Sequence, residues 1–325
     1  MPPGLRERNE ARMLYPLKLE SALHVKVWGG RRLATQLRKR LPTAQPYGES
    51  WELHDSALAA NGRHRGKSLL ELTRQFGADL IGAGNDPANG MPLLAKFIDA
   101  ADWLSVQAHP NDAQAKALEG EPRGKTEAWL VLHAEPGARL VIGLQPGTTR
   151  QELTAAIQSG RLEELLVFAE VSRGDLLYIP ANTVHALGPG ILVYEIQQSS
   201  DTTYRLYDWG RLGLDGQPRE LHLDKGAQVA NLDALPAISR PSGDLLVDGD
   251  YFRTWRHRLE NGALTLTTEG RFQALTCIEG ALRVNAESHD SESITLGVGE
   301  TALIPACIAQ FSISGSGVIL RSAQA

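Results

Sequence analysis

Apolar and polar positions alternate in short runs along most of the chain, and only a few stretches hold a three-to-four repeat. Runs rich in Val, Ile, Leu, Tyr and Trp are cut at close intervals by 32 glycines and 17 prolines, the pattern of many short strands joined by turns. Helical spacing appears in KSLLELTRQFGADLIG (67–82), where the apolar residues Leu69, Leu70, Leu72, Phe76 and Leu80 come close to a three-to-four repeat. It appears again in TTRQELTAAIQSGRLEELLVFAEV (148–171), which reads as two short helices with Thr148 or Thr149 as a cap ahead of Glu152. The expected fold is mainly β: two jelly-roll sandwich or barrel domains with a few added α-helices.

A turn-rich segment around 232–249 divides the chain into expected domains 1–235 and 245–325. The second part reads as successive strands: TWRHRLE, ALTLTTE, FQALTCIEG, ALRVN, SITLGVG, ETALIPA and QFSIS. The two parts also match each other. GDLLYIPANTVH (174–185) aligns without a gap on GETALIPACIAQ (299–310), with Gly174 on Gly299, Pro180 on Pro305 and His185 on Gln310. This suggests a duplicated β-domain whose second copy has lost its histidine.

Composition narrows the function class. The net charge of −5 and the absence of a basic stripe argue against a nucleic-acid partner. The cationic run RRLATQLRKR (31–40) reads as a solvated helix or loop. No window reaches the roughly 18 apolar residues needed to cross a bilayer, and the charged N-terminus MPPGLRERNE lacks the apolar region of a signal peptide. Two cysteines, Cys277 and Cys307, make no disulfide framework, and a reducing cytoplasm is the expected compartment. Nothing in the pattern specifies an oligomeric state.

Candidate chemistry gathers in three strand-like segments. Strand alternation places Trp103, Ser105, Gln107 and His109 on one face. The same rule groups Lys125, Glu127 and Trp129 in KTEAW. His185 follows the strand DLLYIP and a tight Pro-Ala-Asn turn. Gln107, His109, Glu127 and His185 form a mixed nitrogen and oxygen ligand set suited to zinc or another first-row divalent ion. Each ligand alone also fits an exposed strand face or a satisfied core polar residue. The stretch ILVYEIQQSSDTTYRLYDWGR adds Glu195, Asp201, Arg205, Asp208 and Arg211, a polar run suited to substrate contacts. Gly120–Thr126 falls one residue short of a phosphate-binding loop and opens no helix pattern. The remaining histidines (24, 54, 64, 133, 222, 257 and 289) have no ligand spacing.

Two resemblances connect these segments. Gly174-x5-Pro180-x-Asn182-x2-His185 is similar to the second motif of the cupin superfamily, with Asn182 in place of its usual glycine. Gln107-x-His109, with Glu127 far downstream, departs from the first cupin motif and instead resembles type I mannose-6-phosphate isomerases in their short form. YGESWEL (47–53), LLAKFIDAADWLSVQAHPND (93–112), GKTEAW (124–129), the His185 segment and EIQQSSDTTYRLYDWGR (195–211) carry that resemblance.

The resemblance implies zinc on Gln107, His109, Glu127 and His185, and interconversion of mannose 6-phosphate with fructose 6-phosphate. It implies Arg205, Lys125 and Glu195 around the reacting carbons and Lys96, Ser105 and Arg211 on the phosphorylated substrate. The only partner expected is that small hexose phosphate. A cupin that binds a sugar or sugar phosphate without turnover is the alternative, and an iron-dependent oxygenase fits Gln107 poorly.

Overall fold

The computed structural model describes residues 14–286 and 293–325, so the N-terminal decapeptide and His289 lie outside the described residues. The first strands are β1 (Leu17–Glu20), β2 (Ala22–Gly30), β3 (Tyr47–Leu53), β4 (Leu58–Ala59), β5 (Leu93–Ala100), β6 (Val106–Ala108) and β7 (Glu127–Ala134). Next come β8 (Arg139–Leu144), β9 (Leu166–Glu170), β10 (Leu176–Ile179), β11 (Ala186–Leu187), β12 (Ile191–Gln198), β13 (Tyr204–Tyr207) and β14 (Ile238–Ser239). The last are β15 (Leu245–Asp248), β16 (Phe252–Thr267), β17 (Gln273–Ala286), β18 (Ile294–Gly297), β19 (Thr301–Ile304) and β20 (Gln310–Gln324). The protein is mainly β, as its alternation implies.

Two large antiparallel sheets dominate. One runs β14-β10-β7-β12-β5-β2-β3, and the other runs β15-β16-β20-β17-β19-β1-β4 with β18 on β17. Their central orders correspond: β10-β7-β12-β5 in the first matches β19-β17-β20-β16 in the second. Gly174 and Gly299 open β10 and β19 with φ of 92° and 80°, a backbone region that favours glycine. The internal sequence match therefore coincides with a repeated pairing pattern. Register extends it: Ile179 faces Glu127, and its counterpart Ile304 faces Gln273. Both the glutamate and the histidine of the first copy are glutamines in the second.

The first sheet is buried on both faces, which is why its strands read as nearly continuous apolar runs. One face carries Ala95, Phe97, Ala128, Leu130, Leu192, Tyr194 and Ile196 into a core shared with Phe252, Leu303 and Leu320 of the second sheet and with Phe272 just ahead of β17. Fully burying a side chain such as Phe97 contributes roughly 1.5–3 kcal/mol. The opposite face alternates Ile98, Trp129, Val131 and Val193 with the buried polar residues Lys96, Glu127, Glu195 and Gln197. The site occupies this second face.

Several elements differ from expectation. The 67–82 helix is broken into Leu69–Phe76 and Ala78–Ile81 at Gly77, whose φ is 51°. Ser68 and Glu71 form its capping box. Residues 148–171 yield only one α-helix, Arg150–Gln158, capped by Thr149 with Glu152. A 3-10 turn follows at Leu162–Leu165, and then 166–170 pairs as β9 with β8. The apolar run LLVFA has no intrinsic helical preference strong enough to resist that pairing. TWRHRLE and ALTLTTE fuse into β16 through a bulge at Leu259/Gly262, and FQALTCIEG and ALRVN fuse into β17 through one at Cys277/Glu279. The basic 31–40 stretch is only partly solvated: Leu33 and Leu37 are buried, and Arg32 pairs with Asp99 and Glu135.

Candidate metal centre and active site

Three neighbouring segments bring the predicted ligands together. Gln107 lies in β6 and forms a bridge with His185, with backbone bonds of 3.0 Å in each direction. Glu127 opens β7. The peptide of Asn182, with φ of 74°, donates to the His109 carbonyl at 2.7 Å, so the turn before His185 is fastened to the His109 segment. Gly124 makes the approach of the Lys125–Glu127 segment possible: a Cβ there would lie 2.4 Å from the Asn111 carbonyl carbon.

His109, Glu127 and His185 are buried, and one ligand atom from each lies within 4.8 Å of the others. Glu127 Oε1 is 3.2 Å from His185 Nε2, and Oε2 is 3.5 Å from His109 Nε2. His109 Nδ1 donates to the Thr202 carbonyl at 3.1 Å, and His185 Nδ1 donates to the Thr183 carbonyl at 2.9 Å. Both Nε2 lone pairs are thereby turned toward the carboxylate, the arrangement that metal-binding imidazoles use. The Gln107 amide reaches to 3.3 Å from His185 Nε2, and half a turn of its amide plane brings an oxygen to the same place.

The donor set fits a divalent ion by its own electrostatics. Both Glu127 oxygens are buried, and what faces them is the two imidazole Nε2 atoms and the Lys125 ammonium. Burial alone would raise its pKa; Lys125, His109 and His185 outweigh burial and hold the carboxyl well below its ordinary range. Burial and then Lys125 push His109 well below its usual pKa, so the imidazole is neutral, as a ligand must be. Lys125 Nζ stands 3.0 Å from His109 Nε2 and 2.9 Å from Glu127.

A cavity of about 260 Å³ lies beside this cluster: Gln107, Lys125, Glu195, Arg205, Lys96 and Ser105 line it, whereas His109, Glu127 and His185 do not. Arg205 pairs with Gln107 across the β6–β13 ribbon, and burial, then Arg219, lowers its pKa. Glu195 accepts from Trp129 Nε1 at 2.6 Å and lies 3.0 Å from Lys96 Nζ. Burial first, then Glu127, raises the Glu195 pKa. Burial would lower that of Lys96, but Glu195 and Glu49 raise it instead.

Two predicted positions behave differently. Arg211 does not line the cavity; its guanidinium binds Asp208 at 2.8 Å and the Trp103 carbonyl. Trp103 leaves the face it would share with Ser105 and Gln107 and stacks on Trp209 at 4.7 Å. Lys26, Trp28 and Arg219 also line the cavity, and no motif or ligand spacing marks them in the sequence. Arg219 lies beyond the polar run that drew attention to Arg205, and only the tertiary fold brings it back. Among the described residues, no helix is long and apolar enough to cross a membrane.

Comparison with known proteins agrees with this geometry. The family model for the catalytic domain of type I phosphomannose isomerase matches residues 16–139, and that for the mannose-6-phosphate isomerase cupin domain matches residues 244–324. A mannose-6-phosphate isomerase of Streptococcus mutans is 34% identical over 321 residues, covering 95% of this chain and 98% of its own. One from Bacillus subtilis is 34% identical over 312 residues, covering 92% and 96%. A crystal structure of mannose 6-phosphate isomerase from Bacillus subtilis superposes with a TM-score of 0.85 at 30% identity, over 95% of this chain and 99% of that one. With buried charges, cupin strands and a His–Glu–His cluster all in place, the chain belongs to the type I phosphomannose isomerases, a metal-dependent enzyme family.

Proposed function

We propose that the protein interconverts mannose 6-phosphate and fructose 6-phosphate, using zinc held by Gln107, His109, Glu127 and His185. The observation that carries this reading is the His109–Glu127–His185 cluster, with both imidazoles oriented by backbone carbonyls, beside a cavity lined by acid, base and cationic groups. Bound there, the ion supplies Lewis-acid charge for the oxyanion that develops during aldose–ketose exchange.

The chain's own residues divide the remaining work. The reaction removes a proton from one of two adjacent carbons, passes through an enediolate and returns a proton to the other. Glu195 is our choice for that transfer: its raised pKa brings proton uptake closer to neutrality, and Trp129 and Lys96 fix its orientation. Arg205, opposite Gln107, supplies positive charge beside the reacting carbons, since an arginine is a poor base. Lys125 holds Glu127 and faces the cavity, where it can donate to a sugar oxygen. Ser105 and Lys96 contact the substrate, and Arg211 contributes through Asp208. We infer the same division into units, 1–235 carrying the site and 245–325 without ligands, although β1 and β4 join the second sheet. Cys277 and Cys307 are both free, which suits a cytoplasmic location.

Incubating the zinc-loaded protein with mannose 6-phosphate and following fructose 6-phosphate tests the reading. Stoichiometric zinc without conversion would favour a non-catalytic sugar-phosphate binder.

A further inference from the structure

Five cations line the cavity: Lys26, Lys96, Lys125, Arg205 and Arg219. The three lysines spend their charge on carboxylates of the site itself. Lys26 lies 3.3 Å from Glu49, Lys96 3.0 Å from Glu195 and Lys125 2.9 Å from Glu127. The arginines are arranged differently. Arg205 donates from Nη1 to the Glu220 carbonyl at 2.7 Å, and its Nε is buried without a hydrogen-bond partner. Arg219 is gripped along one edge by Asp208: Nε donates to Oδ2 at 2.7 Å and Nη2 donates to Oδ1. Asp208 is buried, lies outside the cavity lining and also accepts from Arg211 at 2.8 Å. Asp208 thus serves both Arg219 and Arg211, the latter also 3.4 Å from Asp102, and Arg205 stands beside them with its Nη1 on a carbonyl.

The backbone places Arg205 and Arg219 firmly. The Arg205 peptide donates to His222 Nδ1 at 3.0 Å, and the His222 peptide donates back to the Arg205 carbonyl at 2.8 Å. Leu212 and Pro218 form a bridge, and the Gly213 peptide donates to Gln217 at 2.7 Å. Arg219 therefore leaves a closed hairpin and is set beside β13. Arg205 is committed to the Gln107 end by its register. Arg219 is the further guanidinium, held through Nε and Nη2, with Nη1 outside that grip. A planar, pre-oriented guanidinium suits a phosphoryl dianion.

We infer that Arg219 is the specificity residue for the phosphoryl group of the substrate, and that Asp208 is the positioning residue that holds its guanidinium. This rests on the isomerase reading for its substrate but not for its anion. The test compares wild type with Arg219→Gln and Arg219→Lys, by steady-state kinetics with mannose 6-phosphate and by calorimetric titration with inorganic phosphate. In R219Q, KM is expected to rise about 10- to 100-fold, with kcat changing less than about threefold. Phosphate binding should weaken by a similar factor, and R219K should recover part of both. Unmoved KM and phosphate affinity would overturn the inference, as would a collapse of kcat at constant KM. If R219Q does not fold, R219K decides by the same two readouts: a raised KM with weakened phosphate supports the inference, and wild-type values overturn it. If wild type binds phosphate through Arg219 but does not isomerise mannose 6-phosphate, the isomerase reading fails and the anion site stands.

Discussion

Trp129 and Glu195 stand opposite each other on β7 and β12, and the indole Nε1 donates to Glu195 Oε2 at 2.6 Å. An indole N–H has no other acceptor in that geometry, and a carboxylate accepting it is stabilised in its charged form. The pair links a core aromatic to the group proposed to carry the proton.

Removing that donor has a signed consequence. In Trp129→Phe the charged form of Glu195 loses support, so its already raised pKa moves further upward. The acidic limb of the kcat/KM profile should shift to higher pH, and activity at a pH below that limb should fall about tenfold. An unchanged limb in a folded variant would remove Glu195 from the proton-transfer role.

Glu127 is the only carboxylate in the cluster, so Glu127→Gln should abolish stoichiometric metal and lower turnover by orders of magnitude. Metal analysis after gel filtration measures the first. In wild type, chelation should lower the melting temperature, because ligand at 100 times its Kd stabilises by about 2.7 kcal/mol. The variant should not respond to chelator. Equal responses would place the metal elsewhere.

Gly124→Ala tests the scaffold rather than the ligands. The added Cβ meets backbone atoms of Pro110, Asn111 and Asp112, all within 2.6 Å. The Lys125–Glu127 segment must then move away from His109. Metal affinity should drop at least about tenfold, the scale seen when groups supporting metal ligands are disturbed. Wild-type affinity in this variant would show that the loop yields freely.

Acid stability follows from Glu49. Burial favours its neutral form, but Lys96 and Lys26 together depress its pKa to about 2, below the ordinary 4.5. A carboxyl depressed on folding stabilises above its unfolded pKa, and that stability is lost as pH falls from about 4.5 toward 2. Metal-free wild type should lose on the order of 3 kcal/mol across this window. Glu49→Gln should flatten that part of the curve; denaturant titrations at several pH values measure it, and an equally steep loss in the variant would count against the assignment.

How far the sequence carried this picture depended on what each residue's periodicity could encode. Alternation put Ser105 and Gln107 on one face, and both reach the cavity. It misplaced Trp103, which precedes β6 and packs on Trp209 instead. Glu127 and His185 were ambiguous alone because a ligand and a satisfied core polar residue look alike in one dimension. The orienting carbonyls of Thr202 and Thr183 that distinguish them are backbone groups with no side-chain signature. Arg219 was invisible for a related reason: its importance depends on Asp208 being shared with Arg211, a three-body arrangement that no spacing rule contains.

The pairing of β1 with β19 sets Leu17 opposite Leu303. A nascent chain emerging from the ribosome can therefore close one edge of its earliest described strand early, on β4, but must keep the other edge open until nearly all the rest has been made. β1 carries alternate buried leucines at Leu17 and Leu19, so that waiting edge is adhesive. Refolding after dilution from denaturant should accordingly be slower, and more prone to capture by other molecules, than the local hairpins β15–β16 and β17–β18 would suggest.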